Sequence, residues 1–254
     1  MVSEPNLFPV ALTIAGFDPS GGAGVLADMR TFAAFELQTS AAITSITFQN
    51  STSVFGAIHQ SGEAVRAQVM PLLADGRIVC SKTGMLPTRE VVLEVARLFR
   101  ETDLPRPVVD PVIFSSSGQR LMEESALAAV IDALLPLARL MTPNIPEAET
   151  LTGITITSEA DMREAAALIC AMGAKAVLVK GGHLSGDAID LLDNEGKVTV
   201  FRERRASGSE LHGSGCILSA AIAAGLGKGM TLEDSVGAAK NFVLEAIKKA
   251  GAGS

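Results

Sequence analysis

The sequence predicts an α/β protein in which a mostly parallel sheet is covered by helices on both faces. Short apolar runs alternate with longer helical patterns along the chain. Runs such as residues 10–15 lack polar alternation, which is typical of strands buried on both faces. Glycine and polar clusters follow the predicted strands, where open parallel sheets bind ligands. No linker, repeat or low-complexity segment interrupts the pattern, so we expect one domain over residues 1–254.

The composition argues against several classes of protein. Of the 254 residues, 48% are hydrophobic and 19% are charged, which suits a large core and argues against disorder. The net charge of −7 argues against nucleic acid or an anionic membrane as a partner. Cys80, Cys170 and Cys216 have unrelated spacings, which fits a reducing compartment. Because neither a signal peptide nor a membrane-length apolar run is found, we expect a cytoplasmic protein.

In the first half, strands are predicted from short apolar and β-branched runs, most of which end at a glycine or polar cluster. These runs are residues 10–15, 41–48, 54–59, 78–80 and 107–109. Helices are predicted from longer segments with apolar side chains at helical spacing. These segments are residues 25–35, 64–73, 88–100 and 125–135.

The second half continues the alternation. Ser158 with Asp161, and Thr231 with Asp234, form capping patterns at the starts of two helices. These helices run to Met172 and to about Lys249. Strands are predicted over residues 176–179, 188–192 and 198–201, and the last two form a hairpin around residues 193–196.

A glycine-rich turn runs directly into a segment that is apolar on nearly every side, residues 217–224. The first turn of this predicted helix contains Gly213, Ser214, Gly215 and Cys216. Free N–H groups and the helix dipole at such a position favour an anion, and they also lower the pKa of a thiol. The alternative is a tight turn before a core helix, with Cys216 as a small buried hydrophobic residue. Considered in isolation, this stretch leaves both interpretations open.

Polar residues at the ends of the predicted strands are candidates for binding. Asp110, Asn144 and Glu147 suit Mg²⁺ and phosphate chemistry, although for each one alone a helix cap or turn residue is the better interpretation. Lys180 suits a phosphate, and its alternative is a solvated strand end. Gln49 suits hydrogen bonding to a heterocycle, and its alternative is a turn residue.

Residues 22–27 match the dinucleotide fingerprint G-x-G-x-x-A, but we interpret the match as false. Residues 17–21 separate this motif from the preceding strand, whereas the dinucleotide turn is tight. The acidic residue that would bind the ribose is also missing, because the second strand ends in Gln49-Asn50. A wide glycine turn onto a helix is the better interpretation.

Together, these stretches resemble the ribokinase-like superfamily and, within it, the hydroxymethylpyrimidine/phosphomethylpyrimidine kinase family of thiamine synthesis. The resemblance is collinear and covers nearly the whole chain. It is carried by residues 15–24 (AGFDPSGGAG), 49–50 (QN), 82–86 (KTGML), 109–112 (VDPV), 142–148 (TPNIPEA), 180–183 (KGGH) and 212–216 (HGSGC). It implies a three-layer ribokinase-like fold, and it favours the anion cradle over the simple turn.

The resemblance also implies site residues by position. It implies an anion hole at Gly213, Ser214, Gly215 and Cys216, with Cys216 as the catalytic base. It implies a pyrimidine pocket lined by Gly16, Asp28, Gln49, Met85 and Val112. It implies Asp110 and Glu147 for Mg²⁺, and Asn144, Glu147 and Lys180 for the nucleotide and its phosphates. The implied cofactors are Mg²⁺ and ATP, and the implied assembly is a homodimer.

The activity implied by the resemblance is ATP-dependent phosphorylation of 4-amino-5-hydroxymethyl-2-methylpyrimidine and then of its monophosphate. One alternative is a pyridoxal or pyridoxine kinase on the same scaffold, because the rings are alike in size. The other is a catalytically weak protein that binds a pyrimidine or vitamer. This second alternative is motivated by Phe17, where the family usually has a small residue, and by Leu211, where it usually has threonine. Ser116 is a further departure from the family pattern.

Overall fold

The computed structural model describes residues 9–50, 52–75, 77–182, 188–203 and 212–252. The motif residue His183 and the departure at Leu211 lie outside these ranges. Within the described part of the chain, no helix combines the length and the apolar character of a membrane span.

The described strands form one nine-stranded sheet. They are β1 (Val10–Phe17), β2 (Gln38–Gln49), β3 (Val54–His59), β4 (Ile78–Thr83), β5 (Val108–Val109), β6 (Leu140–Met141), β7 (Ala176–Lys180), β8 (Ala188–Asn194) and β9 (Lys197–Glu203). Their order is β3-β2-β1-β4-β5-β6-β7-β8-β9. The neighbours from β2 to β7 are parallel, whereas β3, β8 and β9 pair antiparallel. The prediction of a mostly parallel sheet is confirmed.

Helices cover both faces of this sheet. They are α1 (Gly24–Ala34), α2 (Gly62–Asp75), α3 (Arg89–Glu101), α4 (Glu124–Ala129), α5 (Ile145–Thr152), α6 (Glu159–Ala171), α7 (Ser214–Gly227) and α8 (Leu232–Ala252). One apolar cluster packs α2 to α6 against the sheet, and a second packs α1, α7 and α8 against the other face. Adjacent strand residues contribute to opposite clusters, such as Ala11 and Leu12, which gives the predicted three layers.

The helix that follows the glycine-rich turn is the most deeply buried one in the second cluster. Every residue of α7 from Leu218 to Gly225 is buried, as its uniformly apolar sequence predicts. Both predicted caps are also confirmed. Ser158 and Asp161 form a reciprocal capping box at α6, and Thr231 accepts a hydrogen bond from the Asp234 N–H at 3.1 Å before α8.

Strand β4 extends further than predicted. The sequence pattern ends it at Cys80, but Lys82 and Thr83 pair with β1 on one side and with β5 on the other. Lys82 therefore lies inside the sheet, where its side chain is wholly buried, instead of following the strand.

The helix predicted over residues 125–135 is also less regular than expected. It is α-helical to Ala129, then forms a π-helical turn (Val130–Leu134) and a 3₁₀ turn (Leu135–Leu137). Pro136 lies in this last turn, and its missing N–H cannot continue the α-helical hydrogen bonding.

Candidate active site

The glycine-rich turn before α7 packs against the loop that follows β1. Gly213 has a φ of 77°, which is in the left-handed region that favours glycine. A Cβ atom added to Gly213 would lie 2.1 Å from the carbonyl oxygen of Gly22, so a larger residue does not fit. The N–H of Ile217 donates to the Gly213 carbonyl at 3.0 Å. The N–H groups of residues 214–216 therefore have no partner within the helix, which is the arrangement that an anion cradle requires.

Lys180, the last residue of β7, brings a positive charge to this turn. Its Nζ atom donates to Oδ1 of Asp110 at 3.0 Å, and its side chain is 13% exposed. A Cβ atom added to Gly215 would lie 3.2 Å from the same Nζ, so the ammonium group faces the first turn of α7. The alternative of a solvated strand end is wrong. Burial alone would lower the pKa of Lys180, but the Asp110 and Glu147 carboxylates raise it overall.

Asp110, directly after β5, is a buried carboxylate that connects three elements. Besides the bond from Lys180, its Oδ1 accepts a hydrogen bond from Thr142 at 3.2 Å, and its Oδ2 accepts one from Ser219 of α7 at 3.3 Å. Burial alone would raise the pKa of Asp110, but Lys180 and Lys82 lower it below its ordinary value. Asp110 is therefore ionised at neutral pH.

Asn144 and Glu147 form a capping box at the start of α5. The Asn144 side chain accepts the Glu147 N–H, and the Glu147 carboxylate accepts the Asn144 N–H, both at 2.9 Å. Glu147 also accepts a hydrogen bond from the N–H of Ile113 at 3.3 Å. Burial raises the pKa of Glu147, although Lys180 partly offsets this effect. The capping interpretation of these two residues is confirmed, and their role toward a nucleotide stays a prediction.

The donor set for Mg²⁺ is small. Within the described ranges, no group of three or more histidine, cysteine, aspartate or glutamate residues is arranged to hold a metal ion. The Asp110 carboxylate lies close enough to Glu147 to raise its pKa. Mg²⁺ is commonly held by one or two carboxylates together with water and substrate phosphates. The residues present therefore fit an ion that enters together with a nucleotide.

The structure adds a buried ion pair to which sequence reasoning assigned no role. Nζ of Lys82 in β4 lies 2.9 Å from both carboxylate oxygens of Asp28 in α1, and neither side chain is exposed. Thr13 of β1 donates a further hydrogen bond to Asp28 at 2.6 Å. Burial would lower the pKa of Lys82, but Asp28, Cys216 and Asp110 raise it. The signal available in the sequence was a lysine that continues an apolar strand.

The prediction of a low thiol pKa at Cys216 is wrong. Burial raises the pKa of this thiol to about 11, and the carboxylates of Asp110 and Asp28 act in the same direction. Lys82 and the N–H of Gly24 at the start of α1 lower it, but they do not outweigh the loss of solvent. The α7 dipole is therefore insufficient here, and burial keeps Cys216 in its thiol form at neutral pH.

Several residues assigned to the pyrimidine pocket lie around the end of β1. A Cβ atom added to Gly16 would lie 3.0 Å from the sulfur of Met85, so these two residues are in contact. Gln49 ends β2 near Asp18, and its side chain helps to lower the pKa of that carboxyl. Asp28 lies in its ion pair with Lys82. Val112 is half-buried in the loop after β5. The role of each toward a substrate stays a prediction.

The chain is similar to known proteins over nearly its whole length. The model of a family described as phosphomethylpyrimidine kinase matches residues 18–253. The chain is 44% identical over 245 residues to a hydroxymethylpyrimidine/phosphomethylpyrimidine kinase of Streptomyces coelicolor, covering 96% of this chain and 91% of the relative. The crystal structure of phosphomethylpyrimidine kinase from Clostridium difficile 630 has a TM-score of 0.83 at 37% identity, covering 94% of this chain and 99% of that chain.

A pyridoxal kinase from Staphylococcus aureus, solved with AMP-PCP and pyridoxal, is also similar. Its TM-score is 0.86 at 32% identity, covering 95% of this chain and 88% of that chain. These similarities confirm the predicted ribokinase-like fold.

Proposed function

The chain belongs to the phosphomethylpyrimidine kinase family, and we propose that it phosphorylates 4-amino-5-hydroxymethyl-2-methylpyrimidine with ATP, and then its monophosphate, in thiamine synthesis. One observation carries this proposal. The buried Lys180 ammonium group faces the first turn of α7, 3.2 Å from the Cβ position of Gly215. Phosphoryl transfer depends on positioned positive charge more than on covalent catalysis, so this turn suits the reaction.

Each transfer breaks the bond between the terminal phosphorus of ATP and its bridging oxygen, and ADP leaves. The attacking oxygen belongs first to the hydroxymethyl group and then to the phosphate just formed. The N–H groups of Gly213, Ser214, Gly215 and Cys216 receive the oxygens of the moving phosphoryl group, and Lys180 neutralises their charge. Cys216 takes the proton of the attacking hydroxyl, for which its thiol must first be deprotonated.

The remaining assigned residues hold the reactants. Gly16, Gln49, Met85 and Val112 line the pyrimidine pocket, and Asp28 supports this pocket from its buried ion pair with Lys82. Asn144, Glu147 and Lys180 contact the nucleotide phosphates. Asp110 and Glu147 would hold Mg²⁺, which supplies charge neutralisation on the phosphates when it is bound.

Turnover with purified protein tests the proposal. With ATP and Mg²⁺, we expect ADP release with the pyrimidine alcohol and a second equivalent of ADP from its monophosphate. Pyridoxal is the competing substrate, because similar pyridoxal kinases share the fold. ADP release with pyridoxal and none with the pyrimidine would support the pyridoxal kinase alternative. Tight binding of either ring without ADP release would support the weak binding protein.

Gln49→Ala is expected to raise KM for the pyrimidine more than KM for ATP. The amide of Gln49 both donates and accepts, so its loss leaves a ring nitrogen or amino group unpaired, at a cost of about 1–3 kcal/mol. Steady-state kinetics with each substrate varied in turn measures the two constants. Gln68→Ala is the control, because that amide bonds to the backbone of Ile43 and serves the fold. Equal increases in both constants for Gln49→Ala would contradict the assignment.

We also propose a cytoplasmic homodimer that forms through the outer pair of strands. Ile46, Phe48 and Ile58 are 40%, 48% and 58% exposed, and Ile46 pairs directly with Ile58 across β2 and β3. An exposed apolar patch at a sheet edge is a typical site for association. We expect sedimentation velocity to show a dimer for the wild type and a monomer for Ile58→Asp. A monomeric wild type would contradict this assembly.

A further inference from the structure

We infer that His212 is a positioning residue, which holds the anion-binding turn by tying it to the loops after β1 and β5. The inference rests on the proposed function, because this turn is the phosphoryl site of that proposal. Both ring nitrogens have polar neighbours. Nε2 lies 3.2 Å from Oδ2 of Asp18, and Nδ1 lies 3.2 Å from Oγ of Ser116.

Asp18 provides a rigid anchor for the ring. Its side chain is 3% exposed, and it accepts hydrogen bonds from the Ser20 N–H at 2.8 Å, the Ser20 hydroxyl at 2.7 Å and the Ala23 N–H at 2.9 Å. The Asp18 carboxylate can only accept hydrogen bonds. Nε2 of His212 must therefore carry a proton and donate it to Oδ2 of Asp18. In the neutral ring, Nδ1 is then the acceptor for the Ser116 hydroxyl. The imidazole thus connects a buried carboxylate to an exposed loop.

Gly22 connects the imidazole to the turn itself. A Cβ atom added to Gly22 would lie 2.1 Å from Cδ2 of the His212 ring, and its three nearest atoms all belong to that ring. The carbonyl oxygen of the same Gly22 lies 2.1 Å from the Cβ position of Gly213. The His212 ring and the turn therefore both pack against Gly22. A displacement of the ring would shift the N–H groups of residues 214–216, which follow in the turn.

His212→Ala is expected to lower kcat about 10–100-fold, because a shift of about 1 Å in a catalytic geometry costs up to about 10²-fold. KM for the pyrimidine and for ATP should change less than about threefold, since the proposal assigns the ring to the turn and to neither substrate pocket. His212→Gln keeps a donor near Asp18, and His212→Asn keeps a polar group near Ser116. Both should retain several times the kcat of the alanine variant, whereas a role in folding alone predicts no such rescue.

Double variants test the path of the effect. In a background that is otherwise wild type, Gly22→Ala forces the His212 ring to move and should lower kcat. In a His212→Ala background, the same substitution should have little effect on kcat. Ser116→Ala should lower kcat modestly in the wild type and not at all in His212→Ala. Ser116 is exposed, so where His212→Ala fails to fold, a lowered kcat of Ser116→Ala at an unchanged Tm supports the inference and a wild-type kcat contradicts it. Effects that multiply independently would overturn the inference.

His59→Ala is the matched control. Nδ1 of His59 lies 3.0 Å from the hydroxyl of Ser45 at the edge of the sheet. The substitution therefore removes a similar histidine–serine contact, but one that is away from the turn. Its kcat should equal that of the wild type. A kcat for His212→Ala within twofold of the wild type, in protein with an unchanged Tm, would overturn the inference. Absence of turnover in the wild type would instead overturn the proposed function.

Discussion

Cys216→Ser is expected to lower kcat for the pyrimidine alcohol about 10²–10⁴-fold, which is the usual contribution of a positioned base. Serine is similar in size and keeps the backbone N–H groups of the turn, but its hydroxyl is a far weaker base. KM for both substrates should change little. Turnover at saturating ATP, Mg²⁺ and pyrimidine measures the effect. A kcat close to that of the wild type would show that the thiol serves packing alone.

The pH dependence of kcat provides a second test of Cys216. Because burial raises the pKa of this thiol to about 11, the thiolate fraction increases with pH throughout the neutral range. Wild-type kcat should therefore rise between about pH 7 and 9, by up to about tenfold per pH unit, if the thiolate is the base. The rise should be absent in Cys216→Ser. Cys170→Ser, on α6 and outside the site, is the control and should keep both the kcat and the pH profile.

Lys82→Met is expected to lower the free energy of unfolding by about 3–5 kcal/mol, because it leaves the Asp28 carboxylate buried without its cation. Both side chains are wholly buried, so water cannot replace the lost partner. Urea unfolding at pH 7 measures the change. Burial already raises the pKa of Asp28 above its ordinary value, and loss of the Lys82 charge should raise it further, so the folded variant binds the proton more tightly. The loss should therefore become smaller as the pH falls below 7.

Removing both charges separates the ion pair from general packing. Lys82→Met combined with Asp28→Leu should recover most of the stability, leaving about 1–3 kcal/mol for the unpaired Thr13 hydroxyl. Lys248→Met is the exposed control. It breaks a 2.7 Å pair with Glu245 in which both side chains are more than half exposed, and it should cost less than about 1 kcal/mol. A loss below about 1 kcal/mol for Lys82→Met alone would contradict the role of the buried pair.

The fold was largely predictable because secondary structure and burial depend on nearby residues. Apolar runs such as residues 10–15 predict strands buried on both faces, and β1 lies there. The uniformly apolar segment after Gly213 predicts the buried α7, and the capping patterns predict the starts of α6 and α8. The predicted length of a strand was wrong where pairing with neighbouring strands extended it beyond its apolar run. Strand β4 continues through Lys82 and Thr83 because strands on both sides pair with it.

The sequence was sufficient to identify the glycine-rich turn at residues 213–216, because glycine at a left-handed position before an apolar helix is a local signal. Charge and proton affinity are not local. Lys82 and Asp28 are 54 positions apart, and His212 and Asp18 are 194 apart. Only the folded chain shows that these groups meet. The pKa of Cys216 likewise follows from the solvent and charges that folding removes or brings near it, which outweigh the helix end that the sequence revealed.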